Sequence, residues 1–189
     1  MKKIFLSITF LASSLFAWSE CRYSSLKDDG EYLLFKDCIK VDKNENIQIK
    51  DKHIKNMFFD KDSLSCIYTT NNSEVFYIHK NGQIKQTYYF DNGCEYFNEN
   101  DIARTTVNKN VAYMNKNLEV VLETPYFYGT RFHKNKAIVC DDSVSKVYDG
   151  EHSYYSGGSC TAINLKGEPL TKEKKTFEEI LKLLRSDAI

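Results

Sequence analysis

Between residues 140 and 160 the chain reads CDDSVSKVYDGEHSYYSGGSC. Two thiols, the acids Asp141, Asp142, Asp149 and Glu151, and the imidazole of His152 stand in one short stretch. Nucleophilic catalysis by cysteine needs a depressed thiol pKa and a base within hydrogen-bond reach. His152, flanked by Asp149 and Glu151, is the one candidate base there. The competing reading is an oxidised pair of cysteines at the foot of a loop. All six cysteines of the chain (Cys21, Cys38, Cys66, Cys94, Cys140 and Cys160) lie beyond the N-terminal leader described below. An even count in an exported chain reads as disulfides, with the pairing left open at this point. Metal chemistry is not expected: there is no CxxC or HxxxH, and His53, His79, His133 and His152 are scattered. The stretch therefore predicts structure rather than catalysis, with no catalytic residue and no cofactor.

Export is read from the first residues. MKKIFLSITFLASSLFAWSEC opens on Lys2 and Lys3 and runs apolar from Ile4 to Phe16 without a charge. A basic start before a short apolar run is the pattern of a secretory signal peptide, and the run is short for a permanent membrane span. Residues 1–17 are thus expected to be removed after Ala17, with Ser14 as a second position. Cys21 follows Trp18, Ser19 and Glu20, a context that argues against lipidation. Loss of this leader takes the balance from 26 basic and 26 acidic residues to 24 and 26. Such a chain lacks the excess positive charge that nucleic acids and anionic lipids demand. A periplasmic or secreted protein is expected, with no integral membrane segment after cleavage and no nucleic-acid partner.

The elements that would position side chains are strands. The segments IKVDKNENI (from 39), FYIHKNGQI (76), AYMNKNLEV (112) and TAINLKGEP (161) share an apolar start, a Lys/Asn-rich turn and an acid or amide. Glu45, Gly82, Leu118 and Gly167 mark the turns at spacings of 37, 36 and 49 residues. A period of this size points to repeat architecture, with the Cys140–Cys160 stretch lying inside the longest interval. Asn tolerates, and Gly freely adopts, the left-handed conformation of tight turns. The flanks, such as SCIYTT, EVFYIH, IARTTV and KAIVC, favour strands. The expected fold is mainly β, in tandem antiparallel meanders forming a propeller-like or open array over residues 18–170. Residues 171–189 are expected to form an amphipathic helix, because Phe177, Ile180, Leu181 and Leu184 share one face and Thr176 with Glu179 makes a capping box.

The aromatic clusters Tyr88-Tyr89-Phe90, Tyr96-Phe97, Tyr126-Phe127-Tyr128 and Tyr154-Tyr155 invite a recognition role. Neighbouring strand residues face opposite sides, so one member should pack inward and the other outward. Outward members would form a ledge for a protein or a glycan. Tyr126, Tyr128, His152, Tyr154 and Tyr155 are the candidate binding surface. The acids Asp60, Asp62, Asp141 and Asp142 lack the regular ligand alternation of a calcium loop and read as solvated turns.

Residues 57–170, and more faintly 31–50, resemble the bacterial WG-repeat proteins. Phe97 with Ile102-Ala103-Arg104 looks like the first half of a unit. Tyr113-Met114-Asn115 with Val120-Val121 looks like the second, and Pro125-Tyr126, Phe132 and Ala137-Ile138-Val139 like the start of the next. The eponymous Trp-Gly positions hold Val75-Phe76, Val111-Ala112 and Cys160-Thr161 instead, and Asp101 stands where a glycine is usual. The resemblance implies repetitive β structure and brings no catalytic residue. Gly150-Glu151-His152 and Gly157-Gly158 match the outline of a cysteine-containing insertion seen in some such proteins. Those relatives often carry a second cysteine a few residues after the first, where this chain has Ser143. Cys140 would then end one strand and Cys160 begin the next, close enough for a bond, leaving the insertion as an appendage on a body that folds without it. The functional expectation is an exported, non-catalytic binding or scaffolding module. A small inhibitor or immunity protein blocking a toxin or enzyme is the alternative, and a hydrolase of envelope polymers is disfavoured for want of paired acids or a triad.

Overall fold

The computed structural model describes residues 18–27, 31–42, 47–70, 74–150, 152–186 and 188–189. The leader, residues 1–17, lies outside the described residues, as does Glu45 of the first turn. The chain is mainly β and antiparallel, with a helix near its C-terminus. Its first part comprises β1 (Ser19–Ser24), β2 (Tyr32–Val41), β3 (Ile47–Ile49), α1 (Asp51–Ile54), β4 (Leu64–Thr69), β5 (Val75–His79) and β6 (Ile84–Thr87). Then come β7 (Tyr89–Phe90), β8 (Gly93–Cys94), β9 (Ile102–Val107), β10 (Asn110–Asn115), β11 (Val120–Glu123) and β12 (Tyr128–Gly129). The last part holds β13 (Lys136–Cys140), β14 (Val144–Asp149), β15 (His152–Gly157), β16 (Cys160–Asn164) and α2 (Phe177–Arg185).

Six strands form one sheet in the order β3-β2-β1-β4-β5-β6, and its edge strands β3 and β6 approach each other, so the sheet is nearly closed. The sheets β11-β10-β9 and β12-β13-β16 follow, with the small pairs β14-β15 and β7-β8. Alternation along the strands connects these sheets through shared cores. On β5, Phe76 and Ile78 face the interior of the curled sheet with Tyr23, Ile39, Met57 and Ile67, while Val75 and Tyr77 face Ala103 and Met114. On β10, Met114 faces back while Val111 and Tyr113 meet Ala137, Val139 and Ile163. Ile138 and Ala162 look the other way, onto Phe177 and Ile180 of α2. Central strands are therefore buried on both faces, which is why their sequences run apolar instead of alternating.

Three turns share one geometry. The backbone N–H of His79, Asn115 and Asn164 donates to the carbonyl four residues on, at 2.8, 3.0 and 3.1 Å. Asn115 Oδ1 accepts from the N–H of Asn117 and Glu119, and Asn164 Oδ1 does the same for Lys166 and Glu168. Gly82, Leu118 and Gly167, the residues aligned by spacing, hold φ of 92°, 61° and 79°. Gly167 also leaves room for a neighbour: an added Cβ would stand 2.8 Å from Leu122 Cδ1 and make that side chain shift. Leu118 tolerates the same conformation because its side chain is buried against the β5–β10 core, which offsets the backbone cost.

Two sequence expectations need correction. The C-terminal helix does not begin at 171: Lys175 exchanges both backbone hydrogen bonds with Cys160 (2.7 and 2.9 Å), holding the lead-in extended along β16. The helix starts after Thr176, whose capping box with Glu179 forms as read. The second correction concerns the insertion. It is the hairpin β14-β15, and it is not an appendage. Val144 is buried and Tyr155 stacks on Tyr128 with ring centroids 3.8 Å apart, beside Phe177. Glu178 of α2 accepts from the Gly157 N–H. Replacing residues 141–159 by a short turn should therefore lower stability by about 3 kcal/mol or more, the usual cost of removing a buried aromatic. Circular dichroism melting of the shortened protein checks this; an unchanged midpoint would restore the appendage reading.

Candidate ligand-binding cleft

The cysteines pair Cys21–Cys38, Cys66–Cys94 and Cys140–Cys160, and none is left free. The first joins β1 to β2, and the third closes the neck of the hairpin between directly opposed residues of β13 and β16. The second ties β8 to β4 and has the most consequence for the surface.

On β1, Cys21 and Tyr23 point inward, so Arg22 points outward. Cross-strand register places Tyr68 of β4 opposite Arg22 on one side, and Tyr32 of β2 lies opposite Ser24 on the other. The Cys66–Cys94 bond brings the β7-β8 turn against β4, adding Tyr89 and Asn92. Tyr32 meets Tyr68 edge-on at 5.3 Å, and Tyr68 meets Tyr89 at 6.4 Å. The Tyr68 hydroxyl donates to the Asn92 carbonyl, which fixes the middle ring. Burial, then the neighbouring hydroxyls of Tyr32, Tyr89 and Tyr96, push the Tyr68 phenol up to about 12, so it remains a donor across the physiological range. Together these residues line an open cleft of about 700 Å³. Tyr32 is 49% and Tyr89 57% exposed at its rim.

The clusters of adjacent aromatics do alternate. Tyr88, Phe90, Phe97, Tyr126, Tyr128 and Tyr155 turn inward to partial burial, whereas Tyr89, Tyr96, Phe127 and Tyr154 are exposed. The five residues expected to form a surface are not brought together. Tyr128 and Tyr155 stack on each other under α2, Tyr126 packs against the β10–β13 core with Lys174 above its ring, and Tyr154 projects from the hairpin. His152 sits in β15 opposite Asp149, and its side chain lies outside the description. The cleft instead draws on Tyr89 and on Tyr32 and Tyr68, which stand alone in the sequence without an aromatic neighbour.

Two buried polar groups stand apart from the cleft. Glu95 is wholly buried and receives Arg104 through Nε (2.8 Å), Nη2 and the backbone N–H, while Arg104 Nη1 donates to the Gly129 carbonyl at 2.7 Å. The Tyr88 ring lies under the guanidinium at 4.3 Å. Every atom of this pair that chemistry would need is engaged within the protein. His53, 5% exposed, shares a 3.0 Å hydrogen bond between Nδ1 and the Tyr23 hydroxyl. Burial first, then the charge of Lys52, holds the imidazole below its ordinary 6.5. Above that value both folded and unfolded chains carry a neutral ring, and stability is fully present. As pH falls through it the unfolded chain takes the proton first, so stability drops until the folded ring also protonates. Urea unfolding from neutral pH to about pH 5 should show a steeper loss in the wild type than in His53→Gln; parallel profiles would remove His53 from the account.

Asp60 and Asp141, read from the sequence as turn residues, cap turns: Asp60 Oδ1 accepts from the N–H of Asp62 and Leu64, and Asp141 Oδ1 from the N–H of Ser143 and Ser159. Asp62 pairs with Lys116 at 3.0 Å. Among the described residues no cluster of three or more His, Cys, Asp or Glu is placed to hold a metal, and no helix is long and apolar enough to cross a membrane.

Fold and cleft together define a disulfide-braced antiparallel β protein with an open tyrosine-lined groove. No family model, curated protein or solved structure matches this chain.

Proposed function

We propose that this chain is an exported, non-catalytic binding module of WG-repeat type, acting in the periplasm or outside the cell without a lipid anchor, and that it recognises its partner through the tyrosine cleft. The cleft carries the proposal. Large amphipathic rings held rigidly at a surface supply contact area at little entropic cost, and Tyr68 is held in place by the Asn92 carbonyl. The absence of a free thiol among the six cysteines and the engagement of Glu95 by Arg104 speak for binding over catalysis. The turn geometry shared at His79, Asn115 and Asn164 supports the repeat reading. A pull-down from the exported fraction with the wild type and with Tyr32→Ala/Tyr89→Ala tests it. The double variant should melt like the parent and lose the partner, because both rings are exposed; equal retention would place recognition elsewhere.

The hairpin favours a second reading, an inhibitor or immunity protein. Tyr148 is 72% and Tyr154 52% exposed on a hairpin stapled at its base by Cys140–Cys160, a rigid probe suited to another protein's groove. Tyr148→Ala/Tyr154→Ala would abolish capture under that reading and leave it unchanged under the first.

A further inference from the structure

We infer that the tyrosine cleft takes a saccharide bearing an anionic substituent. The inference rests on the binding-module reading and extends it to a ligand class. Three features of the lining select the chemistry. The walls are rings with hydroxyls: Tyr32, Tyr68 and Tyr89 present aromatic surface with a phenol at each edge. Pyranose rings have an apolar C–H face and a polar circumference, and a tilted set of phenols matches both.

The remaining polar lining is neutral: Thr69, whose hydroxyl is already bonded to the Glu74 backbone, Thr70 and the exposed Asn92 amide. Neutral donors and acceptors suit hydroxyl groups. The apolar part of the lining is aromatic, with no aliphatic side chain of the kind that a peptide's leucine or valine would pack against. Nucleic acid stacks on aromatics as well, but draws its affinity from a run of cations along the phosphates. Here the lining holds one cation.

That cation is Arg22. It projects outward from β1, opposite Tyr68 in register, and makes no ion pair with any described residue. A guanidinium at the edge of an aromatic groove offers a planar, bidentate partner to a carboxylate or sulfate. A ligand with an apolar ring face, several hydroxyls and one such group satisfies the whole lining. An acidic sugar has this composition.

Isothermal titration calorimetry with three probes tests the inference: a hyaluronan hexasaccharide, fully N-acetylated chitohexaose as its uncharged counterpart, and hexaglutamate as a polyanion without sugar rings. The hyaluronan oligomer should bind, chitohexaose roughly tenfold more weakly, the fold-change expected of one charge-assisted hydrogen bond, and hexaglutamate not at all. Arg22→Gln should erase the difference between the two sugars, whereas Tyr32→Ala should weaken both. Both positions are exposed, and a matching melting curve confirms that each variant is folded. Equal binding of the charged and neutral sugars by the wild type overturns the role of Arg22. Binding of hexaglutamate as strong as that of hyaluronan overturns the saccharide assignment. If no sugar binds while partner capture still depends on Tyr32 and Tyr89, the ligand inference fails and the binding-module reading stands. If capture is also indifferent to those rings, both fall.

Discussion

Glu95→Ala is expected to destabilise the protein by about 3–5 kcal/mol, the cost of stranding one member of a buried ion pair. Glu95 is fully buried and Arg104 is 13% exposed at its side chain. Removal of the carboxylate leaves a guanidinium with little access to water and no counter-charge, held by the Gly129 carbonyl and the Tyr88 face. A loss of that size is a large part of the net stability of a small domain, so Glu95→Ala should unfold at a clearly lower urea concentration than the wild type. The paired replacement Glu95→Leu/Arg104→Met removes both charges and should cost far less than the two single changes added together. Urea titration of the wild type, Glu95→Leu, Arg104→Met and the double variant closes the cycle. If the double variant is as unstable as the sum of the singles, the pair is not acting as a unit. The consequence is wider than the local site, because Glu95 follows the disulfide-bonded Cys94 and Arg104 lies on β9. The pair fastens the β7-β8 turn to the next sheet.

Removing the Cys66–Cys94 bond by a double replacement with serine should cost about 3–4 kcal/mol, from the separation of 28 residues it closes and the entropy thereby restored to the unfolded chain. Its second effect distinguishes it from the other two bridges. This bond holds the β7-β8 turn, and with it Tyr89 and Asn92, beside Tyr68. Cleft binding should fall with stability in this variant even at temperatures where it remains folded. The corresponding Cys21/Cys38 and Cys140/Cys160 variants should lose comparable stability, since their separations of 17 and 20 residues differ little in the logarithm, yet retain binding when folded. Alkylation of the native protein before mass spectrometry should label no thiol. Equal binding by all three folded variants would show that the cleft is held without its bridge.

Much of this architecture was written locally. Strand character from Val75 to His79 and from Asn110 to Asn115 follows from β-branched and aromatic residues between Asn- and Gly-bearing turns, and spacing alone aligns the turn residues Gly82, Leu118 and Gly167. The Thr176–Glu179 capping box and the inward-outward alternation of Tyr88-Tyr89 or Tyr154-Tyr155 are likewise consequences of neighbouring residues. What a face meets was not legible. Tyr155 and Tyr154 differ by one position, and alternation assigns them opposite sides, but only the placement of β12 and α2 makes Tyr155 a stacked core residue. Glu95 reads as an ordinary surface acid beside Cys94; its burial depends on Arg104 arriving from the next sheet. The cleft has the same origin, since Tyr32, Tyr68 and Tyr89 sit on β2, β4 and β7, separated in the chain by other elements, and share no local pattern. The residues of one strand determine its two faces through the period of the extended chain. Which faces enclose a core and which remain open is decided by pairings between distant strands, and here by the Cys66–Cys94 bond that holds one turn against another sheet.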